Sequence, residues 1–167
     1  MADAHTTVIV AGIDPGLTGA IALLEQSSGE LIETIDMPTL TGSSGKGEVN
    51  AAEVAHLLAS RSVGHCKIEL VNAQPARPSK PGERPRGMGA ASAFNFGRDF
   101  GKLLGICAAL EIPYTLVTPV KWKRAANVAK RDKDYARTVA QQLYPTADLA
   151  RKKDIGRADA ILIARFG

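Results

Sequence analysis

The sequence predicts an α/β fold built on a mixed five-stranded sheet, three antiparallel strands followed by two parallel ones, with helices on both faces. Three observations carry this. The segments Thr7–Asp14, Gly19–Leu24 and Leu31–Met37 are short apolar runs separated by turn residues, the pattern of an antiparallel meander. Two later runs, His65–Ala73 and Tyr114–Val117, are separated from what precedes them by helical patterns, so they return to the sheet through crossovers. The chain has 167 residues, 45% of them hydrophobic, which suits one domain spanning 1–167 with a sizeable core.

The first strand organises the rest. Its apolar run ends abruptly on Asp14, and Pro15-Gly16 then turns the chain. A carboxylate fixed at a strand end is a natural ligand for a hard cation such as Mg²⁺; it also caps turns. Gln26-Ser-Ser-Gly-Glu30 supplies the turn between the second and third strands. Leu40–Glu48 is polar and glycine-rich and reads as a loop. Its Gly42-Ser-Ser-Gly-Lys46 is not a phosphate loop: the first glycine is displaced, Gly47 stands for Ser/Thr, and no strand leads into it. Asn50 can cap a helix reaching Ser60, with Val54, Leu57 and Leu58 on one face.

Glu69 falls inside the His65–Ala73 strand, where burial is costly unless a metal or another group pairs with it. Gln74–Gly89 holds four prolines and three glycines, with Arg77, Lys80, Arg84 and Arg86 against the single acid Glu83. This is a basic loop, long enough to suggest a function. Ala90–Leu110 is a long helix with Phe94, Leu103, Leu104 and Ile106. Gly97, Gly101 and Gly105 form a stripe along it, which implies close approach to the sheet or to a second subunit. Pro119 opens a short helix carrying Lys121, Trp122, Lys123 and Arg124. Asp132 caps the next, which runs to about Tyr144, and Lys130, Arg131 and Lys133 crowd its start. Asp154 opens a final helix that carries Asp159 and is buried through Ala160, Ile161, Ile163 and Ala164.

Net charge is +4, and the basic residues cluster, which suits a polyanionic partner. Sparse aromatics argue against a broad base-stacking platform. Cys66 and Cys107 lie in apolar segments and read as reduced core residues of a cytoplasmic protein. No apolar run is long enough to span a bilayer, and no signal peptide is evident.

If the Asp14 and Glu69 strands pair in parallel, their carboxylates lie adjacent, and Asp154 and Asp159 can meet them from the last helix. Such an oxygen cluster suits two Mg²⁺ or Mn²⁺ ions, ~3.5–4 Å apart, that clamp the attacking and leaving oxygens of a phosphodiester. An acidic centre with a basic rim points to a metal-dependent nuclease.

Gly12-Ile-Asp14-Pro-Gly16, Glu69, Phe96-Gly-Arg98, Pro119-Val-Lys-Trp122 and Arg157-Ala-Asp159-Ala together resemble the RuvC-type Holliday junction resolvases, in particular their phage, bacterial and chloroplast branch. The resemblance implies an RNase H-like fold, a homodimer, and Mg²⁺-dependent nicking of two symmetric strands of a four-way DNA junction in a bacterial or phage-infected cell. It carries metal binding onto Asp14, Glu69 and Asp159. Many bacterial relatives place the late acids three residues apart, where Gly156 stands here; Asp154 is then the fourth ligand or a plain helix cap. The family's active-site lysine falls on Lys133, with Lys130 as rival. The stacking aromatic that often follows the strand glutamate is replaced by Val71-Asn72-Ala73. The other readings are an actin-like kinase or ATPase on Asp14–Thr18, a non-catalytic junction binder, and an RNA-directed nuclease of the same fold. The first needs a second domain and a second phosphate motif.

Overall fold

The structure, a computed structural model, describes residues 8–43, 45–72 and 89–167. Its elements run β1 (Ile9–Asp14), β2 (Ala20–Glu25), β3 (Leu31–Asp36), β4 (Thr39–Thr41), β5 (Gly47–Val49), α1 (Ala51–Ser60), β6 (Val63–Glu69), α2 (Ala90–Ala109), β7 (Tyr114–Val117), α3 (Pro119–Ala125), α4 (Lys133–Leu143) and α5 (Ile155–Phe166). The main sheet has five strands in the order β3-β2-β1-β6-β7. β1 pairs antiparallel with β2 and parallel with β6, and β6 pairs parallel with β7. This is the mixed sheet expected from the sequence, in the RNase H-like arrangement. The basic-loop residues Arg77, Lys80, Arg84 and Arg86 lie outside the described residues.

Each face of the sheet is closed by its own core. Ala11 and Ile13 of β1, Ile21 and Leu23 of β2, and Cys66 and Ile68 of β6 meet Val54 and Leu58 of α1 and Leu103, Ile106 and Cys107 of α2. On the opposite face Ala20, Ala22 and Leu24 of β2 pack on α3, α4 and α5 through Trp122, Ala136, Ala140 and Ile161. The period of two along the strands thus sends Gly12 and Asp14 of β1, and Lys67 and Glu69 of β6, toward the α5 face. Ile161, Leu162 and Ile163 are fully buried; at about 2 kcal/mol each, they make α5 the main hydrophobic cover of that face.

The region Leu40–Glu48, expected to be a loop, instead contains the β4–β5 hairpin, with Thr39 opposite Val49 and Thr41 opposite Gly47. Thr39, Leu40 and Thr41 are all exposed, so no alternation of apolar residues marks the strand in the sequence. The hairpin is tied to α2 by charge: Lys102 Nζ donates to Glu48 Oε2 and to the Val49 carbonyl, both at 3.0 Å. Lys102 also lies 3.1 Å from Oδ1 of the buried Asp99, the same oxygen that Arg98 approaches at 3.5 Å.

The buried face of α2 is Asp99, Leu103, Ile106 and Cys107, and Phe94 is 72% exposed rather than part of it. The glycine stripe also departs from one expectation. A Cβ added at Gly97, Gly101 or Gly105 meets nothing within 4 Å, so the stripe does not approach the sheet. Cys66 and Cys107 are buried free thiols, as expected. Among the described residues no helix is long and apolar enough to cross a membrane.

Candidate active site

The β1–β6 register places two of the candidate acids. Gly12 pairs with Lys67 and Ile13 with Ile68, so one further step puts Asp14 beside Glu69 at the C-terminal ends of two parallel strands. Adjacent strands are about 4.8 Å apart, and both residues have the parity that faces α5. Glu69 is the last residue of β6, not an interior one. Its strand neighbour on the other side is Val117 of β7, and the chain then turns at Thr118 into α3.

The third acid arrives on α5, and two glycines determine how closely. A Cβ on Gly12 would collide with the Ala160 carbonyl and the Ala164 amide, and a Cβ on Gly156 with the Thr18 carbonyl. The helix backbone therefore rests directly on β1 and on the turn that leads into β2. Asp159 sits in the turn of α5 between the Gly156 and Ala160 contacts. Lys67 pins the other end of α5, donating from Nζ to the Ala164 carbonyl at 2.9 Å, where a cation complements the helix dipole.

The side chains are held individually. Glu69 Oε1 accepts a hydrogen bond from Trp122 Nε1 at 2.8 Å, and Trp122 is fully buried. Asp14 and Asp159 are each engaged by neighbouring groups. Asp154 is buried at the N-cap of α5, but its carboxylate does not cap the helix. It accepts from the Arg151 backbone N–H at 2.7 Å and from Arg151 Nε at 2.8 Å. Among the described residues no group of three or more His, Cys, Asp or Glu side chains is gathered closely enough to hold an ion. The donor chemistry of Asp14, Glu69 and Asp159, carboxylate oxygens only, fits a hard divalent cation. Asp154, wrapped by its arginine, fits one less well than they do.

Sequence reasoning missed the ionic frame behind the acids. Arg157 donates from Nε to Asp36 at the end of β3 and lies 2.7 Å from Asp148. Arg151 bridges Asp36 and Asp154. This frame locks β3, the loop before α5, and the first turn of α5 together. The hydrogen bond from Arg157 is the main cause holding the Asp36 carboxyl below its usual pKa; partial burial opposes it, and the charges of Arg157 and Arg151 add to it. For Asp154, burial pushes upward, but the Arg151 hydrogen bonds and the nearby guanidinium charges win. A carboxylate with a lowered folded pKa contributes stability above its unfolded value of about 3.9, lost as pH falls through the folded value. Asp36→Asn is therefore expected to lower the urea midpoint at neutral pH. The gap to the wild type should close in strong acid, where the wild type is itself protonated. A gap independent of pH would show that packing, not charge, ties β3 to α5.

The basic candidates among the described residues fall on one run of chain, from Lys121 to Lys133. Lys121 is exposed, and Lys123 lies over the Trp122 ring at 5.0 Å from its centroid. Lys130 is exposed with a backbone φ of 61°, and Arg131 stacks 5.2 Å from the centre of the Tyr135 ring. Lys133 is the first residue of α4, directly after its Asp132 cap. A cavity of about 380 Å³, lined by Val8, Lys67 and Arg165, lies at the other end of β1, and Asp14, Glu69, Asp154 and Asp159 do not line it.

No family model matches the sequence, and no curated protein matches it. Solved structures do. The chain is similar to RuvC of Thermus thermophilus in complex with a Holliday junction substrate, with a TM-score of 0.64 and 18% identity, covering 94% of this chain and 90% of that one. A second structure of Thermus thermophilus RuvC matches with a TM-score of 0.58 at 18% identity, over 94% of this chain and 91% of that one. At that identity the likeness establishes architecture, and it spans nearly the whole of both chains: this protein has the fold of RuvC, an RNase H-like sheet with acids at the ends of its first and fourth main-sheet strands.

Proposed function

We propose that the protein is a structure-specific endonuclease that resolves four-way DNA junctions by metal-dependent nicking of two symmetric strands. What supports this is the parallel β1–β6 register, which runs to Ile13 beside Ile68 and so leaves the next residues, Asp14 and Glu69, at adjacent strand ends, with the helix that bears Asp159 packed on the same sheet within a RuvC fold. In this reading Asp14, Glu69 and Asp159 hold Mg²⁺, for which Mn²⁺ substitutes, and Asp154 serves as a fourth ligand or braces α5 through Arg151. Two bound ions would supply Lewis-acid activation of the phosphodiester and of the attacking water. The protein's own groups do the rest. Lys133, or Lys130 in its place, neutralises charge that builds on the phosphate. Lys121, Lys123, Lys130 and Arg131 hold phosphates beside the acids, and Arg77, Lys80, Arg84 and Arg86 hold the junction arms.

Junction resolution needs two sites related by a two-fold axis, so the active unit in this reading is a homodimer. The exposed stripe Gly97, Gly101 and Gly105 is its contact, because glycines let two helices approach closely. A cruciform plasmid tests the reaction in one assay. A dimer should give linear product in Mg²⁺ from paired nicks within one binding event, and sedimentation at micromolar concentration should give twice the chain mass. Cleavage of linear duplex as readily as of junctions, or preference for an RNA–DNA hybrid, would reassign the enzyme to another activity of the same fold.

A further inference from the structure

The residue behind Glu69 is as specific a feature of this site as the acids themselves. Trp122 is the chain's single tryptophan and is fully buried. A buried indole N–H needs an acceptor, and this one donates to Glu69 Oε1 at 2.8 Å. The indole has little freedom to turn away. α3 begins at Pro119, its N-cap Thr118 accepts from the Lys121 N–H at 3.3 Å, and the ring is enclosed by the core between β7, α4 and α5. Across the ring, Lys123 places its ammonium 5.0 Å from the centroid, a cation–π contact at the edge of solvent.

We infer that Trp122 is a positioning residue for the metal site: its N–H occupies one oxygen of Glu69, fixes the carboxylate's rotation, and leaves the second oxygen for the cation. This rests on the reading of Glu69 as a metal ligand. A glutamate has three rotatable side-chain bonds, and a ligand that must be ordered on binding loses affinity. A donor fixed by the core removes that cost in advance. Groups that orient a ligand from behind typically contribute about 10–100-fold in metal affinity or activity. Lys123 adds a link to the substrate, because a phosphate drawn to its ammonium arrives over the indole that holds Glu69.

The substitution that isolates the N–H is Trp122→Phe, which keeps an aromatic ring in the core and deletes the donor. Mn²⁺ binding, followed by the loss of the free-ion paramagnetic resonance signal, reads the site without any cleavage. The variant should bind Mn²⁺ about tenfold or more weakly, while junction affinity without metal stays unchanged. Its single-turnover cleavage should recover partly at high Mn²⁺, a rescue that a merely structural defect would not show. An unchanged Mn²⁺ midpoint overturns the inference. If Trp122→Phe does not fold, the wild type still decides. With one tryptophan in the chain, Mn²⁺ or Mg²⁺ should change the emission spectrum, and Glu69→Gln should abolish that change. A silent tryptophan at saturating Mn²⁺ overturns the positioning role. A Mn²⁺ shift in Trp122→Phe, combined with no junction cleavage by the wild type, sustains the inference and rejects only the proposed reaction.

Discussion

Asp14→Asn should lower single-turnover junction cleavage on the order of a thousandfold, the upper end for losing one preorganised electrostatic group, while junction binding persists. Asparagine is the informative replacement. It has the same shape and can still accept a hydrogen bond from the turn after β1, so a residue that only caps Pro15-Gly16 would tolerate the change. What it loses is the negative charge and the affinity for a hard cation. Asp14 and Glu69 each follow the last pair of the β1–β6 register, Ile13 with Ile68, so removing one charge also relieves repulsion between neighbouring carboxylates. Binding, carried by lysine and arginine contacts to phosphate, should hold or tighten, and its salt slope should not change. Cleavage is measured on a labelled junction with enzyme in excess, and affinity by gel shift in Ca²⁺. Wild-type cleavage by Asp14→Asn would remove Asp14 from the metal site and leave the turn as its only role.

Features that follow one local period were legible in the sequence. The apolar run of β1, the Asn50 and Asp132 caps and the limits of β7 needed only neighbouring residues to be read. The neighbourhood of Asp14 and Glu69 followed from one added assumption, parallel pairing, which the β1–β6 register bears out. What the sequence concealed depends on distant partners or on exposure. The β4–β5 hairpin has no buried alternation to betray it, since its stability comes from backbone pairing and from Lys102 on a helix far along the chain. Asp154 looks like a helix cap by position, yet its carboxylate turns back to Arg151, a choice between two local hydrogen-bond partners that spacing cannot decide. The Trp122–Glu69 bond joins residues 53 positions apart. Its signal was present nonetheless. A lone tryptophan among basic and apolar neighbours needs a buried acceptor, and Glu69, inside an apolar strand, needed a partner.

The same chemical change at two glycines should have opposite signs, and the pair tests how α5 is held over the site. Gly12 lies in the middle of β1 under the closest backbone contact of α5. A methyl there would meet the Ala160 carbonyl and the Ala164 amide, and would come within 2.6 Å of the Ala164 side chain. None of these is the end of a flexible side chain, so the helix itself has to move. Overpacking of this kind costs about 3 kcal/mol or more, which for a chain of this length lowers Tm by roughly 6–12 °C. Displacing α5 also shifts Asp159, which it carries, so Gly12→Ala should lose cleavage even at temperatures where it remains folded. Gly97→Ala, on an exposed helix face with nothing within 4 Å, meets no obstacle and should gain stability, by about 1 kcal/mol at most, from helix propensity. Thermal melts of the two variants, run side by side, separate close approach from mere permissiveness. Equal effects would mean that α5 can slide on β1 and that Gly12 is incidental. The melts also bear on assembly. If the stripe joins two subunits, Gly97→Ala should raise the Tm of the dilute protein yet weaken the dimer, so that its advantage over the wild type shrinks as concentration rises. An advantage that stays constant from nanomolar to micromolar chain would leave the stripe as an unpartnered face of α2 and require the two-fold contact to be sought elsewhere.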